Sequence, residues 1–214
     1  MSDFTDFFPA AGATSGGGGG GLLNTLQFKS SGTFNPSDPY GDGTRAVTAG
    51  ALVHFTMIGG GYSGIIYQSQ DLYRNGGIGG RIWAGTIPLT NISNTITITI
   101  GAGGVVANPV YLTNYPSQAG GASSATQTSG ISINTSDSRS LAGGQGGTIA
   151  QITNTNQYHT YTAPTMALPP FSLGGYSDGN FPLVTNRGAN TGDGGKGSAL
   201  SGSGGNSGIV IINW

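Results

Sequence analysis

Thr95 to Gly104 reads TITITIGAGG and carries the clearest structural pattern in the chain. Threonine and isoleucine alternate through Ile100. β-Branched side chains favour the extended backbone, and strict alternation puts one residue type on each face of a strand. Asn94 to Ile100 is therefore expected to be a half-buried strand, with Ile96, Ile98 and Ile100 inward. Gly101-Ala102-Gly103-Gly104 then ends it.

The same grammar recurs outward along the chain. Ala51 to Ile58 (ALVHFTMI) is expected to be a strand with Val53, Phe55 and Met57 on one face, stopped by Gly59-Gly60-Gly61. A strand is expected near Arg81 to Ile87, bounded by Pro88, and a strand pair within Ser123 to Asn134. Gln27 to Phe34 alternates weakly around a Ser-Gly corner. Ile209 to Ile212 is a run of four β-branched apolar residues, read as a strand buried on both faces. Glycine pairs such as Gly120-Gly121, Gly143-Gly144 and Gly204-Gly205 punctuate the strands at uneven spacing, which excludes a repeat of fixed period. They either supply tight turns or let backbones approach closely, some of them as polyglycine-II-like strands. The fold expected is all-β: a compact, glycine-rich, sandwich-like domain over residues 22–214, with short strands and long glycine-rich loops.

Composition supports this class. The 214 residues include 42 glycines, roughly three times ordinary usage, and only 7% are charged, against about 25% in an average domain. An apolar content of 36%, gathered in strand-like runs, argues against disorder. Seven scattered cations give no footprint for a nucleic-acid backbone, and no basic amphipathic stretch suggests a membrane surface. No run approaches the length of apolar residues that crosses a bilayer. The absence of cysteine removes disulfides and thiolate metal sites.

Residues 1–21 read as a separate unit, an extended peptide. Phe4, Phe7, Phe8 and Pro9 crowd its start, interrupted by Asp3 and Asp6, so it lacks the pattern of a secretory signal. Gly16 to Gly21 form a flexible tether. Rings placed ahead of a tether point to a plug inserted into a partner, since exposed phenyl surface is costly in water. The competing reading is a frayed terminus.

The motifs that could carry chemistry fail on context. Gly59 to Gly64 (GGGYSG) satisfies a dinucleotide fingerprint formally, but Ile65 to Asn75 is too short and irregular for the helix that must follow. Gly192 to Ser198 (GDGGKGS) lacks the first glycine of a phosphate loop, where Asn190 stands, and Gly197 occupies the place of the magnesium-binding hydroxyl. His54 and His159 are the available bases. His54 is expected on the face opposite Val53 and Phe55, as a surface or interface histidine. No serine–aspartate arrangement accompanies either histidine, and the eight aspartates are dispersed. Asp38 and Asp42 in Ser37 to Gly43 (SDPYGDG) fit turn chemistry better than a calcium loop. The chain is expected to be neither an enzyme nor a cofactor or metal binder.

Three segments resemble a known family, the glycine-rich domain of bacteriophage tail fibres and related virion proteins. Gln27 to Pro36 (QFKSSGTFNP) is similar to the family's opening, Thr95 to Gly104 to its central strand and glycines, and Gly204 to Trp214 (GGNSGIVIINW) to its close. Asn213 stands where the family has a basic residue. Residues 105–119 and 148–184 depart from it, being rich in aromatics and proline, and the first 21 residues lie outside it. The resemblance implies a virion appendage, made in the host cytoplasm and homo-oligomeric, with a trimer as the family analogy. Residues 1–13 would join it to other virion proteins. The departing segments hold Tyr111, Tyr115, Tyr158, His159, Tyr161, Phe171, Tyr176 and Phe181. Aromatic rings beside amides suit sugar stacking, so Tyr111, Tyr115, Tyr158, His159, Tyr161 and Tyr176 are candidate contacts to a host surface glycan. The alternative is that they fill a core or an oligomer contact. A head decoration or head fibre anchored to the capsid by the same N-terminal peptide is the rival reading.

Overall fold

The computed structural model describes residues 24–64, 74–106, 118–144, 148–149, 161–162, 172, 190–195 and 204–214. The described part is all-β and contains no helix. One antiparallel sheet is built from β1 (Thr25–Phe28), β3 (Ala51–Ile58), β5 (Ile82–Leu89) and β11 (Ile209–Asn213), in the order β1-β11-β3-β5. A second contains β2 (Gly32–Phe34), β6 (Ile96–Thr99), β7 (Ser124–Gln127) and β8 (Ser132–Asn134), in the order β2-β6-β7-β8. β4 (Arg74–Asn75), β9 (Thr148–Ile149) and β10 (Tyr161–Thr162) make a small third sheet, with β9 in the middle.

The two larger sheets share one core. Val53, Phe55, Met57, Val210 and Ile212 from the first meet Phe34, Ile96, Ile98, Ala125 and Ile133 from the second. The alternation in β6 is realised, with Ile96 and Ile98 buried and Thr97 and Thr99 exposed. In β11, Val210 and Ile212 enter the core, and Ile211 on the other face is buried too. The Ser-Gly corner carries the chain from one sheet to the other: β1 pairs with β11 and β2 with β6. β5 runs on through Pro88 to Leu89, beyond the boundary expected from the proline. β5 is an edge strand, so the N–H that Pro88 lacks can fall on the unpaired side.

Of the two readings of the glycine stretches, tight turns or closely packed polyglycine-II-like strands, the bundle follows the second. Gly59 continues β3 as an extended rod whose N–H groups turn to a new partner at each residue. Gly59 donates to the Arg81 carbonyl, Gly60 to Gly121, Gly61 to Asn206, Tyr62 to Ile78 and Ser63 to Gln118. The target segment therefore repeats every third residue, the period of a polyglycine-II helix and not the period of two found in a strand. The same step appears where Gly77 and Gly80 donate to Gly195 and Gly192, and where Gly205 and Gly208 donate to Gly104 and Gly101. Around the 59–64 hub the rods follow in the order 77–81, 192–195, 204–208, 101–104 and 118–121. Rods that accept from the hub alternate with rods that donate to it, Gly195 giving its N–H to Tyr62 and Gly104 to Gly61.

Glycine is required here for closeness. A Cβ on Gly103 would stand 1.8 Å from the Gly205 carbonyl oxygen, and one on Gly60 would stand 1.9 Å from that of Ala102. Neither residue has the positive φ that marks Gly41, Gly43, Gly50 and Gly192.

Candidate interaction surfaces at the two poles

The sandwich and the glycine bundle are stacked end to end, which gives the molecule two poles. The junction is held by hydroxyls. Buried Ser123 donates its Oγ to the Ile58 carbonyl at 2.7 Å and accepts the Gly101 N–H at 3.0 Å, while its own N–H bonds Thr135 Oγ1. Ser172, also buried, donates its hydroxyl to the Gly80 carbonyl. Each serine closes a backbone group where a strand passes into a rod or where rods meet.

At the sandwich pole, Asn24 and Trp214 exchange backbone hydrogen bonds. The 37–45 segment folds over them. Asp38 Oδ1 accepts the Gly43 N–H, and Asp42 Oδ1 accepts both the N–H and the hydroxyl of Thr44. These are turn bonds, and among the described residues no group of three acidic, histidine or cysteine side chains could hold a metal. The Thr44 hydroxyl, then its N–H, then the Arg45 guanidinium hold the Asp42 carboxyl down at about 2. The Arg45 guanidinium lies 3.9 Å from the centre of the Tyr40 ring, which tilts against Trp214 at 5.7 Å; Trp214 meets Phe34 edge-on at 5.4 Å. Arg45 takes a left-handed φ of 56°, and its carbonyl receives the Trp214 indole N–H at 2.8 Å. That bond, with the ion pair to Asp42, explains why a non-glycine residue holds this conformation.

At the opposite pole the rods end. Ser63, Gly77, Gly104, Gln118, Gly195 and Gly205 lie at the level farthest from the sandwich, as their mutual bonds require. Segments 65–73, 107–117 and 196–203 begin and end beside these levels, whereas the described residues on either side of 173–189 are nearer the sandwich, Ser172 bonding Gly80 and Asn190 bonding Ser207. β4 adjoins the first of these segments and β9 and β10 follow Gly144, so the small sheet ties the segment before Gly76 to the chain after Gly144. At about 3.3 Å per residue for the strand and about 3.1 Å for the rod, β3 and its continuation to Ser63 are roughly 40 Å long.

The residues singled out from sequence divide accordingly. Phe4, Phe7, Phe8 and Pro9 lie outside the described residues, as do Tyr111, Tyr115, Tyr158, His159 and Tyr176. Tyr161 lies in β10, where its backbone pairs with Ile149. The described chain flanking them is informative: Asn24, which follows residues 1–23, is at the sandwich pole, and Val106, Gln118 and Gly144 are on the bundle. His54 lies on the outward face of β3, as expected, in a cross-strand row with Thr86, Asn213 and Thr25. Its ring nitrogens contact Thr86 Oγ1 at 3.1 Å and Thr56 Oγ1 at 3.3 Å, and burial pushes its pKa below the usual histidine value. Next to it, buried Asn213 accepts the Thr25 hydroxyl at 2.7 Å, and its Nδ2 has no partner. Sequence reading missed this row because its members lie in three strands remote in sequence. The GGGYSG stretch is the hub of the bundle, with the N–H groups of Gly59 to Ser63 spent on other rods.

No protein-family model matches the chain, and no curated protein is found to be similar to it. The resemblance to glycine-rich virion domains therefore rests on the three segments quoted above. All three fall where the architecture changes character: the corner between sheets, β6 passing into rod 101–104, and rod 204–208 passing into β11.

Proposed function

We propose that this chain is a structural, non-catalytic component of a bacteriophage virion, an appendage or tail-fibre subunit joined to the particle through residues 1–13 and presenting segments at the far pole to a host surface. The observation that carries the reading is polarity. The chain enters at the sandwich pole beside Trp214, and segment 107–117 and the stretch between β9 and β10 are flanked by the far end of the glycine bundle, roughly 30 Å away. An appendage needs this separation, since attachment and recognition must not compete for one surface. Loops held on a rigid frame are the usual place for binding residues.

Deleting residues 2–13 tests the attachment. The truncated protein should fold and stay soluble but fail to enter particles; normal incorporation would overturn the plug. Tyr158→Ala with Tyr161→Ala tests recognition. Unchanged melting with lost adsorption to host cells supports glycan contact, whereas a large loss of stability places these rings in packing. Localisation in a virion reconstruction separates a tail appendage from the head-decoration alternative, which would place density on the capsomers.

A further inference from the structure

Among the described residues, the bundle has a bare side. Ala102, Val105, Ala119, Gly121 and Ala122 are exposed along rods 101–106 and 118–122, with Val105 73% exposed. Among the described residues, the N–H groups of Ala102, Gly103, Ala119 and Gly120 make no backbone hydrogen bond. Ala102, Gly103, Val105, Gln118, Ala119 and Gly121 line a shallow groove of about 460 Å³ between these rods. Among the described lining residues, only Val105 and Gln118 carry a side chain larger than a methyl group.

We infer that this groove takes one more rod, the Gly16 to Gly21 run of a second copy of the chain. Rods in this bundle approach so closely that a Cβ would fall about 2 Å from the neighbouring carbonyl, so a rod added at that spacing must itself be glycine. Gly16 to Gly21 is the longest glycine run in the sequence and lies outside the described rods. At about 3.1 Å per residue it is about 19 Å long, the span of residues 101–106 beside it. The run of the same copy cannot fill the groove. Asn24 is at the other pole, roughly 20 Å along the axis from the near end of the groove at Ala102 by strand and rod spacings, and the three steps from Gly21 to Asn24 cover at most about 11 Å of that. Docking is thus between copies and heterologous, which generates a ring or a filament. It is the polyglycine counterpart of adding a strand to an open sheet edge. This inference stands apart from the virion reading and from the aromatic peptide ahead of the run.

The lack of native cysteine makes the test clean. Full-length Gly18→Cys and full-length Ala119→Cys carrying a size tag are mixed and oxidised. A mixed disulfide dimer should dominate over either homodimer. Adding Gly17→Val and Gly20→Val to the first partner should lower its yield about tenfold, the effect of a docking free energy weakened by 1.4 kcal/mol. Unchanged melting of each variant confirms the fold. Three results would overturn the inference: no mixed dimer, an Ala119→Cys homodimer of equal yield, which means that bare faces meet each other, or an intramolecular disulfide in the doubly substituted chain.

Discussion

The two halves of this molecule solve the same problem with opposite materials. The sandwich buries side chains: Phe34, Phe55, Met57, Ile96 and Ile212 fill the space between sheets, and backbone bonds run only sideways within each sheet. The glycine bundle has almost no side chains to bury. Its interior is backbone against backbone, with hydrogen bonds leaving each rod in several directions. The first is held by apolar area removed from water and the second by saturated bonding at contacts that any Cβ would prevent. Ordering glycine costs more conformational entropy than ordering any other residue. The bundle therefore depends on the sandwich, whose strands deliver the rods already aligned.

Four measurements bear on that contrast. The largest effect is expected in the bundle. Gly60→Ala or Gly103→Ala puts a methyl group within 2 Å of a carbonyl oxygen that cannot move without displacing a rod. Each should cost more than about 4 kcal/mol or abolish folding, as read by thermal melting or soluble yield. Gly41→Ala, in open space at φ 70°, is the control and should cost only about 1 kcal/mol. Equal effects at the two places would deny that closeness is the reason for glycine in the rods.

Second, Phe55→Ala in the sandwich should cost about 3–5 kcal/mol, as cavity-forming truncations do. Amide exchange in the rods should accelerate along with exchange in the strands. Rods that keep their protection would show the bundle to be independent. Third, Ser123→Ala removes the hydroxyl that joins Ile58 to Gly101 and leaves both backbone groups buried; a loss of about 1–3 kcal/mol is expected in denaturant titration.

The smallest effect is electrostatic. His54 has a folded pKa lowered by burial, so the unfolded chain binds its proton more readily. Its neutral form is compatible with full stability above about pH 6.5, and stability should fall as the pH drops below that value toward the lowered folded pKa. His54→Gln should flatten this part of the stability profile. An unchanged slope would assign it to other groups.

Much of the sandwich was legible because its signal is local. Thr95 to Ile100 and Ile209 to Ile212 declare strands through side-chain type and period, and their burial follows the alternation. The bundle was only half legible. Glycine has no side chain to carry a period, so GGGYSG, GAGG and GGNSG look like turns until their partners are known. Pro88 misled for a related reason, since its tolerance depends on β5 being an edge strand. Of the candidate sites, the position of His54 could be read from β3 alone. The row it shares with Asn213, Thr25 and Thr86 could not, because register between β1, β11, β3 and β5 is a property of the assembled sheet.

The threefold bonding of the rods sets rules for how such a chain can change length. In a rod, each added residue rotates every later N–H by about 120° onto the wrong neighbour, and only a change of three restores the pattern. Insertions within 59–63 or 101–104 should thus be tolerated in multiples of three or not at all. Segments between rods carry no such arithmetic. Their length and composition can be exchanged freely while the ends return to the same rods. A lineage built on this frame would diversify by whole-segment replacement at the far pole and keep its glycines in step, and a library made by the same rule should preserve the fold.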